Sequence, residues 1–313
     1  MPHFDPHITR RSFALGAFAA SIAGVPAVKA QALASPAVLY QPPQNYRVVY
    51  EAALKGIDAA SSGGKPRRYR IRGDFNEAAS WVKDGGHNPW LLLGADAYTA
   101  FSAARSQSRG FLAIAYLTRE SHEGVGGVSL ELDPEVVFAQ CRALLPTRYR
   151  VHVIVDPAHE ALLADRADSA ARAKGLDLNL TVASDLSVAT SEIQAALTYG
   201  NPATDVLWLL GSPSLISSET AGVLARRAWA RRFPVFSSRT GLVHGGFLMG
   251  AEPDFEDTGR QLVELAAKAS AEPYPIELTR KAKSVLNVRA ARRLGVDVTP
   301  ELRARVDLLV SDE

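Results

Sequence analysis

"WLLLGADAYTAFSAARS", Trp90–Ser106, sets four unbroken apolar residues ahead of a glycine and a stretch with apolar residues at helical spacing. A run apolar at every position predicts a strand buried on both faces, the situation of a parallel strand between two helix layers. A helix beginning at the C-terminal end of that strand completes a βα unit.

The same alternation extends in both directions. Upstream, "AVLY" (Ala37–Tyr40) predicts a strand, "YRVVYEAALKGIDAA" a helix, "RRYRIRGD" an alternating strand, and Asn76–Lys83 a helix. Downstream, "FLAIAYL" (Phe111–Leu117) predicts another buried strand. After the glycine-rich "HEGVGGVSL" the rhythm restarts: helix "DPEVVFAQCRALLP", strand "RVHVIVD", and helix "HEALLADRADSAARAKG" with Gly175 as its C-terminal cap. Then come strand "LDLNLTVA", helix "SEIQAALTYG", strand "TDVLWLLG", helix "SSETAGVLARRAWARRF" and strand "PVFSS" (Pro234–Ser238). "GLVHGGFLMG" reads as strand-like and "EDTGRQLVELAAKAS" as a helix. Two βα sets joined near residues 118–128 predict two doubly wound halves.

The chain has 313 residues, 35 basic and 33 acidic, with 47% hydrophobic and 22% charged residues. That is an ordinary globular composition. Near the start, "ITRRSFALGAFAASIAGVPAVKAQALA" places Arg10 and Arg11 before a short run rich in alanine and glycine, with small residues at Ala30 and Ala32. This layout predicts a twin-arginine signal peptide over residues 1–30 and a periplasmic destination. The apolar run falls short of the ~20 residues needed to span a bilayer. Residues 1–30 hold Arg10, Arg11, Lys29 and Asp5, so the expected mature chain has 32 residues of each sign. Zero net charge leaves no footprint for a polyanion, and nucleic acid is not an expected partner. Cys141 is the only cysteine, so no intrachain disulfide forms, and its place in "VVFAQCRALL" predicts a small buried thiol on a helix.

Several stretches resemble one family. "GVGGVSLELDPEVVFAQCRALLP" (Gly124–Pro146) resembles the segment between the lobes of ABC-transporter periplasmic substrate-binding proteins of the tryptophan-binding-protein-like group, which have the type I periplasmic-binding fold. "RVHVIVDP" is similar to the strand opening that family's second lobe, and "PVFSSRTGLVHGGFLMGAEPDFEDTGRQLVELA" to its return to the first. "VLNVRAARRLGVDVTPELRARVDLLV" resembles its ending, with Asn287 and an Ala-x-x-Leu-Gly helix at Ala291–Gly295. The resemblance implies α/β architecture: two doubly wound parallel-sheet lobes joined by a multi-crossing hinge. The first lobe is expected at 36–118 plus 238–272, the second at 119–237 plus 273–313. The arginine-rich tail then reads as a closing structural segment with its arginines outward and Glu301 and Asp307 as local acidic partners.

In an open parallel sheet, ligands sit beyond the carboxyl ends of the strands. The candidates that follow are Tyr40 and Gln41; Gly94, Ala95 and Asp96; and Tyr116 and Thr118 in the first lobe. Asp156, Gly211 and Ser212 come from the second, with Ser238 and Arg239 at a crossing. Tyrosines supply apolar walls, Asp96 reads also as a helix N-cap, and an arginine clamps a carboxylate in two-pronged fashion. The polar pairs expected of tryptophan binders are replaced here by "DPAHEALLAD", "GADA" and "GSPS", so the ligand is not inherited with the resemblance.

The histidines are scattered without ligand spacing, so neither metal nor cofactor is expected. "HGG" at His244–Gly246 has no Gly-x-Ser-x-Gly elbow to serve, and no catalytic constellation is expected. The expected function is capture of a small molecule by a monomeric periplasmic protein that feeds an inner-membrane ABC permease. The competing expectation is a sensor or accessory module of the same fold that signals to a membrane receptor.

Overall fold

In a computed structural model, the protein is described over residues 36–311, apart from residues 105, 106, 119–121, 123 and 213. The expected signal peptide lies outside the described residues. No helix among them is long and apolar enough to cross a membrane.

The chain first lays down β1 (Ala37–Tyr40), α1 (Arg47–Ala60), β2 (Arg67–Arg70), α2 (Phe75–Asp84), β3 (Trp90–Leu93), α3 (Ala95–Ala103), β4 (Gly110–Ala113) and β5 (Val125–Leu132). It crosses into α4 (Pro134–Leu144), β6 (Arg150–Val155), α5 (Pro157–Ala173), β7 (Asp177–Val182), α6 (Leu186–Tyr199), β8 (Asp205–Leu209), α7 (Ser218–Arg231), β9 (Val235–Ser237), α8 (Gly241–His244) and β10 (Met249–Pro253). A second crossing leads to α9 (Phe255–Lys268) and β11 (Ile276–Thr279), and a third to β12 (Ala282–Asn287), α10 (Val288–Arg293), α11 (Pro300–Arg303) and β13 (Leu308–Val310).

These strands form a six-stranded sheet ordered β11-β5-β4-β3-β1-β2 and a seven-stranded sheet ordered β13-β12-β10-β9-β8-β6-β7. All neighbours run parallel except β10 and β12. Burial explains the sequence pattern of the first sheet. Trp90 and Leu92 pack with Ala78, Val82, Ala97 and Ala100 on one face. Leu91 and Leu93 pack with Ala53, Ile57, Leu262 and Ala266 on the other. Alternate residues of one strand point to opposite faces, so both must be apolar, as "WLLL" requires.

On the second face α1 and α9 touch backbone to backbone. A Cβ on Gly56 would lie 1.8 Å from the Glu256 carbonyl oxygen, and one on Gly259 2.1 Å from that of Ala53. The glycine pair is what brings these two helices so close.

The crossings fall elsewhere than expected. β5 is a strand of the first sheet, so the first crossing comes after residue 132 and not at 118/119. β10 pairs with β9 and β12 in the second sheet, so residues 238–253 belong to that sheet rather than the first. β11 pairs with β5 and moves residues 276–279 to the first sheet. "GLVHGGFLMG" is not one strand: Gly241–His244 turns as a short helix before β10 begins at Met249.

"FLAIAYL" also ends early as a strand. Ile114 sits at φ 60, in the left-handed region, which is costly for a β-branched residue. The sheet ladder stops at Ala113, and the chain turns outward to present Tyr116. The tail is a strand, two short helices and a strand. Its arginines are exposed, but Asp307 accepts from Ser284 N and Oγ. Arg289 and Arg293 lie over the Trp229 ring, 5.0 and 4.8 Å from its centroid. Cys141 is buried on α4, and burial pushes its thiol up to about 12.

Candidate functional site

The carboxyl edges of the two sheets meet at a cavity of about 500 Å³. The first sheet contributes Tyr46 from the 3-10 turn after β1, Tyr116 from the exit of β4, and Leu130–Leu132 from the end of β5. The second contributes Glu160 and Leu163 from α5, Leu210 and Gly211 after β8, and Ser238–Leu242 after β9. Glu252, Pro253 and Phe255 line it at the second crossing.

Tyr116 is fixed by the segment that carries it. Ala115 O accepts from Leu130 N at 2.9 Å, and Leu117 N donates to Ser129 Oγ at 3.1 Å. The Ser129 hydroxyl donates in turn to Glu131 Oε2. One serine therefore ties the tyrosine loop to a carboxyl of the cavity wall. On the other side the His159 ring meets Tyr116 edge-on, with centroids 5.9 Å apart. Burial, then the nearby Glu160 and Glu131, pushes the Tyr116 phenol up to about 12.

Glu131 is 6% exposed and Glu160 1%. Glu160 comes inward because its own backbone leaves helical geometry, at φ −111 and ψ 22, one turn into α5. The Asp156 N–H donates to its Oε2 at 2.7 Å. The Oε1 atoms of both glutamates are buried without a hydrogen-bond partner. Burial pushes Glu131 up to about 8, helped by the charge of Glu160. Glu160 is pushed up to about 7, again mainly by burial. For both carboxyls burial favours the neutral form, Glu131 the more strongly.

Asp156, the N-cap of α5, behaves oppositely. Burial pushes its carboxyl up, but hydrogen bonds from Ser214, the Ala158 N–H and His159 outweigh it and hold the group below the ordinary carboxylate range. Arg239 donates from Nη1 to Ile216 O at 3.4 Å, and its N–H donates to Ser237 Oγ. The Thr240 hydroxyl donates to Glu252 Oε2 at 2.7 Å.

Of the residues expected from sequence, the cavity brings together Tyr116, Gly211, Ser238 and Arg239. Ser238 Oγ accepts from Trp208 Nε1. Asp156 and Ser212 stand behind Glu160 rather than on the wall, and Ser212 Oγ is 2.5 Å from Ser214 Oγ. Tyr40, Gln41, Gly94, Ala95, Asp96 and Thr118 do not line this cavity. Tyr40 packs against the α1–α9 face of the first sheet. Asp96 is not the N-cap of α3. Gly94 holds that position at φ 83, and a Cβ there would lie 2.0 Å from Tyr50 Oη. The Thr118 N–H points to His122 Nδ1 at 3.5 Å. Glu131, Glu160, Glu252, Tyr46 and Phe255 escaped the sequence reading.

The fold has counterparts among solved structures. An ABC domain in complex with L-Trp from Streptococcus pneumonia aligns at TM-score 0.54 and 15% identity, over 88% of this chain and 98% of that one. A ligand-free, open substrate binding protein with adhesive properties from Clostridium difficile aligns at TM-score 0.60 and 12% identity, over 89% and 100%. The architecture is the two-lobed periplasmic-binding fold. A conserved domain protein from Vibrio cholerae aligns at TM-score 0.51 and 16% identity, over 88% of this chain and 99% of its own. No family model and no curated protein matches the sequence. In this fold the cavity lies where the strand ends of both lobes converge, with three chain crossings beside it.

Proposed function

We propose that this protein captures a small molecule in the cavity between its two sheets and delivers it to an inner-membrane ABC importer. The observation that carries the reading is the cavity itself, walled by strand ends of both sheets. Open parallel sheets bind ligands at that edge, and a volume of about 500 Å³ is of small-molecule size. Three crossings permit closure by rotation of one lobe against the other. Tyr116, Gly211, Ser238 and Arg239 are the ligand contacts foreseen from sequence, joined by Glu131 and Glu160. The twin-arginine segment supports export to the periplasm, where such capture takes place.

A thermal-shift screen of the purified protein against amino acids, organic acids, amines and sugars tests the reading. A ligand at 100 times its dissociation constant adds about 2.7 kcal/mol to stability. Tyr116→Ala should reduce that gain, and small-angle scattering should show compaction with the ligand. A folded protein that no member of the panel stabilises refutes solute capture and favours the sensor role.

A further inference from the structure

Glu131 and Glu160 reach the cavity from different sheets, and each has an Oε1 without a partner. Leaving such an atom unsatisfied is costly, and a ligand donor placed between the two carboxyls would remove that cost for both. A third acid, Glu252, lies on the same wall, whereas the cation there is Arg239, whose Nη1 is turned to the Ile216 carbonyl. Tyr116 and Phe255 supply aromatic surface, and aromatic faces attract cations. The wall therefore complements positive charge on a flat, apolar frame.

Resting on the solute-capture reading, we infer that the ligand is a small organic cation. Its ammonium or amidinium group sits between Glu131 and Glu160, and its apolar body lies against Tyr116 and Phe255. Burial keeps both carboxyls protonated to unusually high pH. Seating a cation makes each carboxyl an ion-pair acceptor, so its proton leaves to solvent and binding strengthens as pH rises. The charged and titratable groups facing the pair are Asp156 and His159 on α5, Tyr116 at the exit of β4, and Arg239 and Glu252 from the second sheet's side. Asp156 is already engaged by Ser214, Ala158 and His159, which leaves the two glutamates to take the ligand's charge.

The test is calorimetric titration of the purified protein with tyramine, tryptamine and benzamidine, beside the matched anions 4-hydroxyphenylacetate, indole-3-acetate and benzoate. The cations should bind and the anions should not. The dissociation constant should be at least about tenfold larger at pH 6 than at pH 8, one proton accounting for about tenfold per pH unit within its titration range. Heats should vary with buffer ionisation enthalpy, reporting proton release. Glu131→Gln and Glu160→Gln should each weaken binding at least about tenfold and remove a share of the pH dependence; should one fail to fold, the other carries the same test. Anions binding in place of cations, or cations binding both variants as tightly as the wild type, would overturn the inference and leave solute capture standing. A failure of every probe, together with the wider amino-acid and sugar panel, would remove both.

Discussion

Glu131→Gln replaces a buried acid with a neutral side chain of the same shape, and its effect on stability should depend on pH in a direction the structure fixes. In the unfolded chain the carboxyl ionises near its ordinary value of 4.5; in the folded protein burial pushes it up to about 8. Between those values the folded state holds a proton that the unfolded chain has released. The stability this group contributes is therefore complete below the unfolded value and falls as pH rises toward the folded one, by about 1.4 kcal/mol per pH unit. From about pH 5.5 to about pH 7 the loss is about 2 kcal/mol for this carboxyl. Glu160, pushed up to about 7, works in the same direction over a narrower window. His122, which burial holds below its usual value, works the other way but is common to both proteins and cancels in the difference. Urea unfolding at several pH values should find the variant close to wild type near pH 4 and gaining on it as pH rises, by about 2 kcal/mol between about pH 5.5 and about pH 7, with unchanged m-values. Parallel stability curves, or a wild type that gains on the variant as pH rises, would refute the account.

Gly56→Ala should destabilise although alanine is the better helix former by about 1 kcal/mol, because its methyl would meet the Glu256 carbonyl at 1.8 Å. The expected net loss is about 1–3 kcal/mol by urea unfolding, and a stabilised variant would show that the helices part freely. Arg280→Ala removes hydrogen bonds to Asp257 and Glu264 beside the third crossing and should cost about 1–2 kcal/mol near neutral pH. Burial pushes Asp257 up, but hydrogen bonds from Arg280 and Lys281 hold it below its ordinary 3.8. The cost of Arg280→Ala should therefore fade as acid protonates that carboxylate, and an effect unchanged at low pH would count against the pairing. Cys141 should resist thiol reagents in the native protein and react once the chain is unfolded, since burial both covers it and suppresses the thiolate. Rapid native labelling would contradict this.

Much of the fold was legible because parallel strands here are buried on both faces, and "WLLL" or "VLWLL" permits few other placements. The strand ends were harder. Ile114 belongs by composition to its strand, and its left-handed backbone is imposed by the turn that presents Tyr116. The membership of β5 and β10 depends on which sheet a strand joins, which apolar pattern does not specify. The acidic pair was missed for two separate reasons. Glu160 lies in "HEALLAD", where a solvated helix face is the ordinary expectation, and only the local kink turns it inward. Glu131 did leave a trace: in "VSLEL" the polar residues Ser129 and Glu131 share one face of an otherwise apolar strand. That period-two polar pair in a buried strand marked the wall that the cavity needs.

The position of α9 in the chain has a consequence for how the molecule is made. This helix covers the same face of the first sheet as α1, and β11 forms an edge of that sheet beside β5, yet both follow the whole α4–β10 segment in sequence. The lobe begun first is completed after most of the other has emerged from the ribosome. Until residue 279 is available, Leu91, Leu93 and Ala113 lack the cover of Leu262 and Ala266, and β5 has an open edge. Such long-range closure slows folding and leaves a sticky intermediate. A nascent chain stalled near residue 254 would need shelter, and one released after residue 279 would have closed its first lobe.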